Sequence, residues 1–126
     1  MNEKTKPLAF IVEDDDQLSD ILTQAMRIAD FEIQTCADGQ KALEMLATID
    51  PAVIVLDLYL PNVSGDKILN YVRKDSRLKK VIVVLTTFDS LLAENLREQS
   101  DFVLLKPVSF SQLRDLGTRL RTVVNP

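Results

Sequence analysis

The stretch Leu8-Ala9-Phe10-Ile11-Val12-Glu13-Asp14-Asp15-Asp16 decides the fold. Five apolar residues, too few for a globular helix, run straight into four acids. Such a short, unbroken apolar run predicts a strand buried on both faces, as in a parallel sheet. The same pattern returns at 53–56 (Val-Ile-Val-Leu), 81–85 (Val-Ile-Val-Val-Leu) and 102–105 (Phe-Val-Leu-Leu). Phe31-Glu32-Ile33-Gln34-Thr35 instead alternates with period two, which predicts a strand with one wetter face at a sheet edge.

Helical spacing fills the gaps. Leu18, Ile21, Leu22, Ala25, Met26 and Ala29 recur at i, i+3, i+4 and i+7, with Asp15 or Asp16 as the cap. Ala42, Leu43, Leu46 and Ala47 mark a second helix, capped by Asp38 and followed by Pro51. Ile68, Leu69 and Val72 mark a third, and Leu91, Leu92 and Leu96 a weaker fourth. Leu113, Leu116, Leu120 and Val123 mark a fifth, which Gly117 weakens by about 1 kcal/mol relative to Ala. Strand and helix therefore alternate five times. That order predicts an α/β, doubly wound (βα)5 architecture with right-handed crossovers and helices on both faces of a parallel sheet. Ligands of such folds bind beyond the carboxyl ends of the strands.

Composition narrows the choices. The 126 residues suit one domain spanning 1–126, with a core at about 8–123. At 46% hydrophobic and 27% charged, the chain is too apolar to be disordered. A net charge of −4 argues against direct nucleic-acid binding. The single cysteine, Cys36, excludes an internal disulfide, reads as a small buried hydrophobe, and fits a reducing, cytoplasmic setting. Without histidine there is no Ser-His-Asp triad and no His-ligated zinc site. No apolar run approaches the ~20 residues of a membrane span, and the polar start, Met1 to Lys6, precedes no signal-peptide core.

The strand ends carry the chemistry. The first strand runs into Glu13 and Asp14, the third ends in Asp57, the fourth in Thr86-Thr87 and the fifth in Lys106-Pro107. In a parallel sheet these groups share one rim. Carboxylates held within ~4–6 Å of each other oppose folding unless they are neutralised. Mg²⁺, a hard cation that takes oxygen ligands, relieves that repulsion. Glu13, Asp14 and Asp57, balanced by Mg²⁺ and Lys106, make a pocket suited to a dianionic phosphoryl group. Asp57 ends a central buried strand, so it is the aimed and rigid candidate nucleophile toward phosphorus.

These residues resemble the receiver domain of two-component response regulators, a CheY-like family. The resemblance runs from Leu8 to about Val123. It rests on Ile-Val-Glu-Asp-Asp at 11–15, Val-Leu-Asp-Leu-Tyr-Leu-Pro-Asn-Val-Ser-Gly at 55–65, Val-Val-Leu-Thr at 83–86 and Leu-Leu-Lys-Pro at 104–107. It implies a flavodoxin-like fold with sheet order 2-1-3-4-5 and Asp57 as the phosphorylated residue. Mg²⁺ would be held by Asp14, by Asp57, by Glu13 through water and by the backbone carbonyl of Tyr59. Thr86 would hydrogen-bond the phosphoryl group and Lys106 would pair with its oxygens. Pro61 and Gly65 match the loop after the phosphoacceptor strand, where Gly tolerates backbone angles that other residues avoid. The Lys106-Pro107 bond is usually cis in the family. Implied partners are a histidine kinase or phosphotransfer protein as donor, and a downstream protein on the face of helix four, strand five and helix five. The domain would act as a switch, catalysing only its own phosphorylation and dephosphorylation.

The chain departs from the family pattern at three places. Val103 stands where the family often has Tyr or Phe, which puts the aromatic half of the switch in doubt. Thr87 replaces a smaller residue and could restrict access to Asp57. Tyr59 and Phe88 occupy two positions that commonly tune hydrolysis, and their bulk predicts a long-lived phosphorylated form. These departures keep a second reading open, a pseudo-receiver acting as a non-phosphorylated interaction module. A phosphohydrolase is disfavoured because Tyr59 stands where such enzymes carry a second acid. A nucleotide or flavin site is disfavoured because an acidic run replaces the glycine-rich turn after the first strand. The basic run Arg73-Lys74, Arg77 and Lys79-Lys80 reads as a solvated helix end or a docking patch. Arg114, Arg119 and Arg121, with Glu94, Glu98 and Asp101 as opposite charges, offer homodimer contacts. The Asn125-Pro126 end suits a stand-alone regulator or a piece of a longer chain equally well.

Overall fold

The computed structural model describes residues 5–124, so the readings of residues 1–4 and of Asn125-Pro126 lie outside the described residues. The elements run β1 (Leu8–Val12), α1 (Asp16–Ile28), β2 (Glu32–Cys36), α2 (Gly39–Leu46), β3 (Val53–Asp57), α3 (Gly65–Lys74), β4 (Ile82–Thr87), α4 (Ser90–Asn95), β5 (Phe102–Leu105) and α5 (Phe110–Val124). All four strand pairings are parallel, in the order β2-β1-β3-β4-β5. This is the doubly wound α/β architecture that the alternating pattern predicts. Among the described residues no helix is long and apolar enough to cross a membrane.

Each face of the sheet has its own core, because successive strand residues point to opposite sides. Ala9, Ile11, Val53, Val55 and Val84 pack under α1 and α5, against Leu22, Met26, Leu113 and Leu116. Phe10, Val12, Ile54, Leu56, Val83 and Leu85 pack under α2 and α3, against Leu46, Ile68, Leu69 and Val72. Burial of each large side chain is worth about 1.5–3 kcal/mol. Gly117 has a packing reason to sit inside α5: a Cβ there would stand 2.8 Å from Met26 Sδ and 3.0 Å from Ala29 Cβ, so glycine lets α5 close on α1.

Asp15, rather than Asp16, caps α1, accepting from Gln17 N at 2.9 Å and Leu18 N at 3.2 Å. Asp38 caps α2 in the same way. Two expectations are corrected. The apolar run at β5 is not buried on both faces; β5 is the second sheet edge, and Phe102 and Leu105 are exposed. Cys36 is half-buried, and its thiol donates to the Asp38 carbonyl at 3.2 Å. Within the chain, Arg121 pairs with Asp30 and Asp101 with Arg73.

Candidate functional site

Four strand ends converge on one rim. Glu13 N–H extends the β1–β2 ladder by bonding Cys36 O at 3.0 Å, and Glu13 is 2% exposed. Asp57, the last residue of β3, is in register with Thr86 on β4, and both are buried. Lys106 follows β5 directly, with its N–H on Thr87 O at 2.8 Å. Its peptide bond to Pro107 is cis. The sheet therefore delivers residues distant in sequence to one place.

The Lys106 ammonium stands between two carboxylates, 3.1 Å from Glu13 Oε1 and 3.2 Å from Asp57 Oδ2. Glu13 Oε2 accepts Asp15 N–H at 3.1 Å, and Asp57 Oδ1 accepts Tyr59 N–H at 3.2 Å. Glu13, Asp14 and Asp57 each present an oxygen, and all three oxygens lie within 4.8 Å of one another. Asp14 is the exposed member, open to a ligand from solvent. Burial raises the Glu13 carboxyl above the usual carboxylate range, and nearby Asp57 adds to the rise. Burial likewise raises Asp57. For Lys106, burial alone would lower the ammonium, but Asp57 and Glu13 together outweigh it and raise its pKa.

Two buried oxygens are left over. Among the described residues Thr86 Oγ1, wholly buried, has no hydrogen-bond partner; Glu13 Oε1 lies in ion-pair range of Lys106 but outside hydrogen-bond geometry. A buried hydroxyl without a partner costs about 1–3 kcal/mol. Thr86 stands in register with Asp57, one of the three clustered carboxylates. The donor set fits a hard divalent cation: three carboxylate oxygens, with solvent access through Asp14.

The loop after β3 is held for close approach. A Cβ at Gly65 would stand 2.2 Å from the Asp57 carbonyl oxygen. No glycine here has a positive φ; Asn62, at 71°, takes the left-handed position instead. Gly65 is thus needed for space and not for its backbone angles. Asn62 also donates to the Asp38 side chain, and Gly39 N–H bonds Pro61 O at 3.0 Å, which ties this loop to α2.

The departures have definite places. Val103 is half-buried in β5. Thr87 is buried, and its hydroxyl accepts Asp89 N–H at 3.0 Å, serving the turn into α4. Phe88 is 75% exposed, with Lys106 Nζ 5.7 Å from its ring centroid. Asp89, which the sequence reading passes over, receives the Tyr59 hydroxyl. Its only sequence signal is an Asp ahead of Ser90-Leu91-Leu92, the mark of an ordinary helix cap.

A five-stranded sheet in this order, with acids and one amine at its carboxyl rim, defines the receiver class of α/β domain. The family model described as the response regulator receiver domain matches residues 9–117, and the chain belongs to that family. It is a receiver domain of a two-component response regulator, a signalling module and not a classical enzyme. The transcriptional regulatory protein TrcR of Mycobacterium tuberculosis is 32% identical over 114 residues, covering 89% of this chain and 43% of TrcR. AfsQ1 of Streptomyces coelicolor, another transcriptional regulatory protein, is 28% identical over 118 residues, covering 94% of this chain and 51% of its own. The chain spans about half the length of these curated relatives. In fold it matches the chemotaxis response regulator CheY4 of Vibrio cholerae, with a TM-score of 0.83 at 22% identity, over 92% of this chain and 99% of that one.

Proposed function

We propose that Asp57 accepts a phosphoryl group from a phosphohistidine of a histidine kinase or phosphotransfer protein, in a Mg²⁺-dependent reaction that switches the domain's interaction surface. The observation that carries this reading is the Thr86 hydroxyl, buried without a partner on the strand position in register with Asp57. A phosphoryl oxygen on Asp57 would give it the acceptor it lacks.

Glu13, Asp14, Asp57 and the Tyr59 carbonyl would hold the metal, which when bound neutralises the carboxylates and the incoming oxygens. A carboxylate oxygen of Asp57 forms the bond to phosphorus while the bond from phosphorus to the donor's imidazole nitrogen breaks and leaves its electron pair on that nitrogen. Lys106, kept cationic by its two acidic neighbours, meets the phosphoryl charge. The Tyr59 N–H steadies the carboxylate during transfer. The reading takes the domain as one unit over about 8–123, in a cytoplasmic setting and without direct nucleic-acid contact. A downstream protein, or a second copy, would dock on the α4–β5–α5 face, where Leu91, Phe102 and Leu105 are exposed.

Incubation with a small acyl phosphate and Mg²⁺, followed by mass measurement, tests the reading. One added phosphoryl group in the wild type and none in Asp57→Asn is expected, as is beryllofluoride binding that needs both Asp57 and Mg²⁺. No uptake and no beryllofluoride binding in the wild type would leave the pseudo-receiver reading in its place.

A further inference from the structure

The β3–α3 and β4–α4 loops leave adjacent strands just beyond Asp57 and Thr86. One side-chain hydrogen bond joins them: the Tyr59 hydroxyl donates to Asp89 Oδ2. Each end of this bond is anchored. Tyr59 N–H donates to Asp57 Oδ1 at 3.2 Å. Asp89 Oδ1 accepts Leu92 N–H at 3.0 Å as the cap of α4, and Asp89 N–H is held by Thr87 Oγ1 at 3.0 Å. The two oxygens of the carboxylate are thus divided between helix and tyrosine. Together the contacts close a ring of chain around the ends of β3 and β4. Tyr59 is 58% exposed, and among the described residues its side chain has no other hydrogen bond.

We propose that Asp89 is a positioning residue for the chemistry at Asp57: it holds the Tyr59 ring over the pocket and keeps water from the phosphorus of the aspartyl phosphate. The proposal rests on the reading of Asp57 as phosphoacceptor. It differs from an effect of bulk, because a ring of the same size that is free to swing would not shield the site. A charge-assisted bond to a carboxylate is directional enough to fix a side chain with two main torsions.

The test uses three variants. Tyr71→Phe leaves Tyr59 as the chain's one tyrosine, and there is no tryptophan, so emission reports Tyr59 alone. A phenol bonded to a carboxylate is quenched. In metal-free Tyr71→Phe protein, adding Asp89→Ser keeps a capping hydroxyl but removes the tyrosine contact, and emission is expected to rise. In radiolabelled, Mg²⁺-loaded protein, Tyr59→Phe and Asp89→Ser should each shorten the half-life of the label about threefold or more. The double variant should decay no faster than either single one. Phe keeps the bulk of the ring, so faster loss reports orientation. Unchanged emission, or label half-lives equal to wild type in both single variants, overturns the proposal. A wild type that takes no label removes the phosphoacceptor reading and this proposal together; uptake with unchanged half-lives removes this proposal alone.

Discussion

The two ends of the sheet are both polar, and they are finished differently. At the starting ends of the strands, Arg73 donates to Gln99 O at 2.6 Å, Lys79 O at 3.0 Å, Val81 O at 2.6 Å and Asp101 Oδ2 at 2.8 Å. Asp101 in turn accepts Val83 N–H at 2.8 Å. Arg77 donates to Ile49 O and Asp50, both at 2.6 Å, and to Leu46 O. The side-chain contacts there match donors to acceptors and charge to charge. At the carboxyl ends, three carboxylates face one ammonium and a buried hydroxyl has no partner. A polar cluster that is satisfied holds a fold together; one that is left short of partners is where the proposed metal and phosphoryl group would act.

The largest expected effect tests the unsatisfied end. Asp57→Asn should abolish phosphoryl uptake, and Lys106→Ala should slow it about a hundredfold, read as label incorporated from a small acyl phosphate. Neither should unfold the domain.

The satisfied end should answer in the opposite way. Arg73→Ala should cost about 2–3 kcal/mol in urea denaturation, because it strips carbonyls and a carboxylate of a charged partner. Lys at this position should not restore the loss, since one ammonium cannot reproduce the guanidinium fork. Phosphoryl uptake by Arg73→Ala under folding conditions should stay near wild type.

A smaller effect carries the sharper contrast. In metal-free protein, Asp57→Asn should raise stability on the order of 1 kcal/mol by removing one of three crowded charges. Saturating Mg²⁺ should stabilise the wild type and close the gap. If the substitution destabilises the metal-free protein, the rim is not short of positive charge.

The pH dependence is the finest test. Glu13 and Asp57 are both raised in the folded protein, so between the usual carboxylate range and their raised values the native state binds more protons than the unfolded state. Their contribution therefore falls as pH climbs through that window, opposite to the usual carboxylate. The stability gap between Asp57→Asn and wild type, measured without metal, should narrow as pH falls toward about 4. Lys106 is raised, so its stabilisation is complete below the ordinary lysine range and is lost as pH rises through its higher folded value.

Runs of apolar residues and helical spacing are local, so the alternation of five strands and five helices was legible from the chain alone. Given a parallel sheet, so was the gathering of Glu13, Asp14, Asp57, Thr86 and Lys106, because each ends or follows a strand. What the chain could not disclose depends on which distant surfaces meet. The unbroken apolar run of β5 looked like a buried strand, yet it lies at an edge because no further strand pairs with it in the sheet. Gly65 serves close contact with the Asp57 carbonyl, a matter of space between segments. Arg73 and Arg77 looked like a solvated charge run until the fold brought carbonyls from other loops against them. Asp89 looked like a helix cap and nothing more, because its bond to Tyr59 spans thirty positions of sequence and exists only once β3 and β4 lie side by side.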